Sequence, residues 1–217
     1  MNKYPPGLLA AAAQAAVLLI AGCASLPSAD ELDRQAQAMI KASFREQGIA
    51  GLERLEQDLG QKACSSDKAP AEAMARQIET EALATVRWPA GGQYIGDWRE
   101  GEKLAQNGRG MTWTDGSAAA SANGAQCYNC HQISKQEISF GTIGPSLVNY
   151  GKLRGVKDVA DPASAEIVQY TWGKLWNSKA YAACSNMPRF GHAGLLDEKQ
   201  LKDLMALLLD PKSPVNQ

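Results

Sequence analysis

Cys127-Tyr128-Asn129-Cys130-His131 is the stretch of this chain that decides its fold. Two cysteines separated by two residues and followed at once by a histidine form the C-x-x-C-H pattern, the attachment signature of c-type haem. The chain has five cysteines and two histidines in 217 residues. At those frequencies the pattern is expected by chance on the order of 0.001 times. The stretch therefore predicts one covalently attached haem c.

The spacing of this motif has a chemical reason. On one helical turn, the thiols of Cys127 and Cys130 can each form a thioether with a haem vinyl group, and His131 is then carried beneath the macrocycle to ligate iron. A thioredoxin-like redox pair would need a βαβ context, and a zinc site would need a second Cys/His pair. The sequence favours neither, so haem is the better interpretation.

Composition excludes several other classes of protein. Hydrophobic residues make up 45% of the chain and charged residues 21%, which is typical of a globular protein and argues against disorder or a multi-span membrane protein. The formal net charge is -1, so we expect no nucleic-acid partner. The two histidines, His131 and His192, nearly exclude a site built from several histidine ligands.

The N-terminus has the features of a secretory signal. Residues 1–22 contain Lys3 and then an apolar run that is too short to span a bilayer but suits a signal peptide. The run ends Ile20-Ala21-Gly22-Cys23, which resembles the bacterial lipobox, in which the cysteine is acylated. The alternative is an ordinary cleavage site that happens to precede a cysteine. We expect a periplasmic lipoprotein, attached to the membrane through lipid on Cys23.

The remaining chain is predicted to be all-α. Capping pairs, Ser28 with Glu31 and Asp197 with Gln200, open apolar stripes at helical spacing, and β-branched alternation is nearly missing. A Pro- and Gly-rich break near residue 90 divides a helical extension, 23–90, from a haem domain, 91–217.

Two further segments are similar to class I cytochromes c, and this resemblance predicts such a fold for the haem domain. Gly144-Pro145-Ser146-Leu147 resembles a turn in which the proline carbonyl accepts a hydrogen bond from the axial histidine. Met187 lies in a loop before the last helix, where these cytochromes place a sulfur ligand. The resemblance implies these roles for Pro145 and Met187. The alternatives are a simple tight turn and, for the ligand, His192.

Taken together, many segments resemble one family, the X subunits of the SoxAX cytochromes of the bacterial thiosulfate-oxidising (Sox) system. The similarity is dense from about residue 90 to the end and loose in the extension. The lipobox departs from the simplest pattern, because family members are usually described as periplasmic. The matching segments are 96–98, 101–103, 108–110, 127–132, 139–147, 150–152, 154–155, 170–172, 183–185, 187–191 and 210–211.

The resemblance implies a role inside an enzyme rather than a complete enzyme. In this family a SoxA-type subunit carries the active site of an L-cysteine S-thiosulfotransferase, which joins thiosulfate to a cysteine of a SoxYZ-type carrier. The X subunit accepts the electrons and passes them to a small c-type cytochrome. We expect the present chain to be that non-catalytic subunit. The alternative is a free-standing, membrane-tethered electron carrier.

Two cysteines remain after lipidation and haem attachment, Cys64 and Cys184. In the oxidising periplasm the plainer interpretation is a disulfide between them, which would tie the extension to the Met187 loop. The alternative is a free thiol on Cys184, three residues before Met187.

Overall fold

The computed structural model describes residues 26–112, 115–117 and 119–217. Across these ranges the chain is helical, and extended pairing is limited to one isolated bridge between Gln47 and Ala50, so the predicted all-α class is confirmed. None of the helices in these ranges is long and apolar enough to cross a membrane. The α-helices are α1 (Ala29–Ser43), α2 (Leu59–Cys64), α3 (Glu72–Ala84), α4 (Trp98–Ala105), α5 (Tyr150–Leu153), α6 (Ala165–Trp176) and α7 (Glu198–Leu209).

The chain divides into two compact units, Met1–Phe44 and Arg45–Gln217. The predicted signal peptide, 1–22, and the predicted lipidation residue Cys23 lie outside the described residues. In the first unit, α1 begins at the predicted cap, where the Ser28 hydroxyl accepts a hydrogen bond from the Glu31 N–H at 3.2 Å. None of the residues of α1 is buried. Local capping and helix propensity therefore specify α1.

Helices α2 and α3 belong to the second unit together with the segment 91–217. Ala82 and Val86, at and after the end of α3, lie in the same hydrophobic cluster as α6 and α7. Trp172 of α6 is fully buried, and its indole N–H donates to the Arg87 carbonyl at 2.8 Å. The part of the predicted extension that follows Phe44 thus shares a core with the segment 91–217.

The last helix, α7, is the centre of this core. Its capping box is present as predicted, because the Asp197 carboxylate accepts from the Gln200 N–H while the Gln200 side chain accepts from the Asp197 N–H. The predicted stripe of Leu201, Leu204, Met205 and Leu208 is buried. Its neighbours Ala206, Leu207 and Leu209 are buried as well, so other parts of the chain surround α7 on more than one side.

Helix α4 crosses α7 with backbone against backbone. A Cβ added at Gly101 would overlap the Asp203 carbonyl group, so only glycine allows this approach. Asp203 is buried, and its Oδ1 accepts from the Asp97 N–H at the start of α4 at 2.9 Å. Its Oδ2 accepts from Lys199 Nζ at 2.6 Å. One buried carboxylate of α7 therefore holds the first turn of α4.

We predict that Gly101→Ala destabilises the protein, because the added methyl group would force the two helices apart. The expected loss is about 1–3 kcal/mol in the free energy of unfolding, although alanine favours a helix by about 1 kcal/mol over glycine. Chemical denaturation followed by far-UV circular dichroism measures this loss. The matched control is Gly116→Ala, since a Cβ at this exposed residue would meet no atom within 4 Å. Equal stability of the two variants would contradict the close crossing.

Candidate functional site

The Cys127–His131 segment forms a single tight turn. A 3-10 helix spans Cys127–Asn129, and the N–H groups of Cys130 and His131 both donate to the Cys127 carbonyl, at 3.1 and 2.9 Å. Gln126, just before the turn, has a φ of 52°, a left-handed conformation that is uncommon for a non-glycine residue. The turn therefore carries both thiols and the imidazole within one hydrogen-bonded loop, in keeping with the motif spacing.

Both cysteines of the motif are free thiols and are half-buried. Cys127 packs against the hydrophobic core. Desolvation of its sulfur raises the pKa of Cys127 to about 12, so its thiol is neutral at physiological pH. Two reduced cysteines that stay unpaired at a spacing of three are available for thioether chemistry.

His131 is held in one orientation by the turn that follows it. Its Nδ1 lies 2.6 Å from the carbonyl oxygen of Pro145, the contact that the resemblance implied. Because a carbonyl can only accept, Nδ1 carries the proton, and in the neutral imidazole the lone pair is then on Nε2. Gly144 lies against the ring, and a Cβ at this position would overlap ring atoms. The neighbouring backbone thus sets both the tautomer and the position of the imidazole.

The segment 141–147 is also paired with the motif by backbone hydrogen bonds. The N–H groups of Gly141, Gly144 and Leu147 donate to the carbonyls of Tyr128, Cys130 and Gln132, each at 2.8 Å. A Cβ at Gly141 would overlap the Asn129 carbonyl. Sequence reasoning missed this role of Gly141, although a glycine shortly before Gly-Pro was the available signal. These bonds make the motif and the Pro145 turn one rigid element.

Met187 lies in the loop between α6 and α7, half-buried against the core. Its N–H donates to the Ser185 hydroxyl at 3.3 Å, and its carbonyl accepts from the Ser178 hydroxyl at 2.6 Å. The pairing of Met187 with His131 as ligands of one iron stays a prediction. The competitor, His192, is exposed, and desolvation together with the nearby Arg189 lowers its pKa.

A disulfide joins Cys64 to Cys184, so this prediction is confirmed and the alternative of a free Cys184 thiol is wrong. The bond connects the last residue of α2 to the loop that carries Met187, across a sequence separation of 120 residues. It therefore ties that loop to the part of the chain that precedes residue 90.

Trp176, at the end of α6, is a feature that sequence reasoning missed. Its ring stacks on Trp172 at a centroid distance of 6.1 Å, and a Cβ at Gly191 would overlap it. The Trp176 indole N–H is buried and has no acceptor among the described residues. A buried donor without a partner is costly unless a bound group supplies the acceptor.

No family model matches this chain. It is 37% identical over 163 residues to an uncharacterized lipoprotein of Aquifex aeolicus (strain VF5), and the alignment covers 74% of this chain and 73% of that protein. The chain belongs to the family of this lipoprotein. Because the alignment spans more than the 127 residues of the predicted haem domain, 91–217, the likeness within this lipoprotein family extends beyond that domain.

We predict that the double variant Cys64→Ser/Cys184→Ser lowers the free energy of unfolding by about 2–5 kcal/mol, because the disulfide restrains a long loop in the unfolded chain. Guanidinium denaturation of the variant and of the wild type, each with and without reductant, measures the loss. Reductant should lower the stability of the wild type and leave the variant unchanged. Equal unfolding midpoints in the oxidised wild type and the variant would contradict a stabilising disulfide.

Proposed function

We propose that this chain is a class I cytochrome c-like electron-transfer protein with one covalent haem c, and that it is the X subunit of a SoxAX-type complex. The observation that supports this best is the 2.6 Å contact between His131 Nδ1 and the Pro145 carbonyl. It leaves Nε2 free to ligate a metal, in a histidine that directly follows two free, closely spaced thiols.

The residues present fit a haem. Cys127 and Cys130 supply the two thiols for covalent attachment, and His131 supplies an oriented nitrogen ligand. The unpartnered indole N–H of Trp176 supplies a buried hydrogen-bond donor for a carboxylate of the haem. When bound, a haem c supplies one-electron redox chemistry at its iron.

Met187 is the proposed second axial ligand. A methionine thioether raises the reduction potential of a haem relative to a second imidazole. If His131 and Met187 both held the iron, side chains of this chain would supply its ligands and leave no ligand site for a substrate. This arrangement supports electron transfer rather than catalysis at the iron.

The place within a SoxAX complex rests on the sequence resemblance, which includes the motif and the segments 139–147 and 187–191. The proposed partners are a SoxA-type subunit, through it a SoxYZ-type carrier, and a small c-type cytochrome as electron acceptor. The name of the Aquifex aeolicus relative supports lipid attachment at Cys23, and with it a periplasmic location at the membrane.

We predict one haem per chain after expression with a cytochrome c maturation system, and none covalently bound in Cys127→Ser/Cys130→Ser. The pyridine haemochrome assay after acid extraction measures both.

Met187→Ala should abolish the Met–Fe charge-transfer band and lower the reduction potential on the order of 0.1 V, whereas the matched variant His192→Ala should change neither. A wild type that lacks this band, with a reduction potential that shifts in His192→Ala and not in Met187→Ala, would assign the iron ligand to His192 instead of Met187.

We also predict that the protein purified from its native host during growth on thiosulfate carries a haem-containing SoxA-type subunit. Affinity purification followed by mass spectrometry identifies the partner, and the same preparation from cells grown without thiosulfate is the control. A cytochrome that purifies alone under both conditions would contradict the complex and favour the free-standing carrier.

A further inference from the structure

A cleft of about 300 Å³ lies between α2 and the loop that carries Met187. The Cys64–Cys184 disulfide forms part of its wall. Its lining is mixed: Met187 and Pro188 contribute apolar surface, and the polar part includes two cations, Lys179 and Arg189, and two hydroxyl groups, Ser65 and Ser185. None of the roles proposed above uses these four side chains to bind a ligand.

Lys179, one of the residues that line this cleft, has an unusual ammonium group. The residue is only 8% exposed, and its Nζ is buried with no hydrogen-bond partner in the described part of the chain. Its ion pair with Asp58 Oδ1 is loose, at 3.5 Å. Gly60 leaves room for it, because a Cβ there would lie 2.8 Å from Nζ. A lysine carries three N–H donors, so this buried group lacks acceptors.

Asp58 is shared between the two cations. Its Oδ1 already accepts from the Gln61 N–H at 2.7 Å, and its Oδ2 pairs with Arg189 Nη1 at 2.9 Å. Desolvation acts to raise the pKa of Asp58, but the Gln61 hydrogen bond, Lys179 and Arg189 hold it below its usual range. Asp58 is therefore a carboxylate, and one negative charge faces two positive charges.

The neighbouring titratable groups do not remove this excess. Glu79 on α3 accepts a hydrogen bond from the Ala183 N–H at 3.1 Å and does not line the cleft. Desolvation and Arg189 lower the pKa of His192, which is then neutral at physiological pH. The cleft thus keeps a net charge of about +1 under these conditions.

The hydroxyl groups of two serines, Ser65 and Ser185, line the same cleft. Ser65 Oγ accepts from the Gln57 amide at 3.2 Å, and Ser185 Oγ accepts from the Met187 N–H at 3.3 Å. Each therefore keeps its O–H as a donor. Cationic donors combined with hydroxyl donors match the oxygens of an oxyanion.

We propose that this cleft binds an oxyanion group, such as a phosphate, sulfate or carboxylate, on Lys179 and Arg189. The group has two possible sources. It is either a free anion from solution or a carboxylate of the covalently bound haem, and this second source rests on the proposed function. A purely structural ion pair would need one cation, whereas the second, buried and without acceptors, destabilises the fold unless an anion binds.

The test is the thermal stability of the purified full-length protein, titrated with millimolar sodium phosphate at an ionic strength held constant with sodium chloride. A ligand that binds the folded state raises the midpoint of unfolding with a saturable dependence on concentration. Constant ionic strength separates this effect from general screening. The variants are Lys179→Met and, as a matched control, Lys62→Met, which removes an exposed lysine of α2 outside the cleft.

A saturable rise in the wild type and in Lys62→Met, with the apparent affinity weakened about tenfold or more in Lys179→Met, supports a free anion. No rise in the wild type, with a reduction potential that shifts in Lys179→Met and not in Lys62→Met, supports a haem carboxylate. Equal behaviour of wild type and Lys179→Met in both measurements overturns the proposal. The phosphate titration needs no haem, so its result is independent of the proposed function. If Lys179→Met does not fold, Arg189→Gln replaces it with the same expectations.

Discussion

The crossing of α4 over α7 at Gly101 is the contact on which the rest of the site depends. It brings the α4 backbone onto the Asp203 carbonyl, and the Asp203 carboxylate then accepts a hydrogen bond from the N–H of Asp97, the residue that precedes α4. The far end of α4 carries the motif loop, because the Ala125 N–H donates to the Leu104 carbonyl at 2.9 Å. A shift of α4 would therefore move Cys127 and the turn that holds His131.

The Met187 loop is also held by residues from the N-terminal part of the second unit, before residue 90. The Cys64–Cys184 disulfide, the Ser178–Met187 hydrogen bond and the cluster of Asp58 with Lys179 and Arg189 all act on this loop. The loop thus depends on residues before 90 as much as on α6. This dependence explains why part of the predicted extension shares a compact unit with the predicted haem domain.

Local rules account for what could be predicted. Ser28 and Asp197 were recognisable as caps because a cap acts within one turn of its own helix. The C-x-x-C-H spacing is equally local. The contact of Pro145 with His131 was predicted from a family resemblance and not from a local rule, since 14 residues separate them. The burial of Lys179 and of the Trp176 indole had no sequence signal, because a lysine or tryptophan near a helix end is usually partly exposed.

The sequence by itself determined that the chain is helical, that Cys127, Cys130 and His131 lie on one turn, and that Cys64 and Cys184 are left to pair. Only the tertiary structure shows that Gly101 and Gly144 lie too close to other atoms to carry a side chain. It also shows that the Asp203 carboxylate accepts from the Asp97 N–H, and that two cations face one carboxylate beside the disulfide. The reason is range. Capping and motif spacing act over a few bonds, whereas steric contact and charge balance depend on which distant segments the fold brings together.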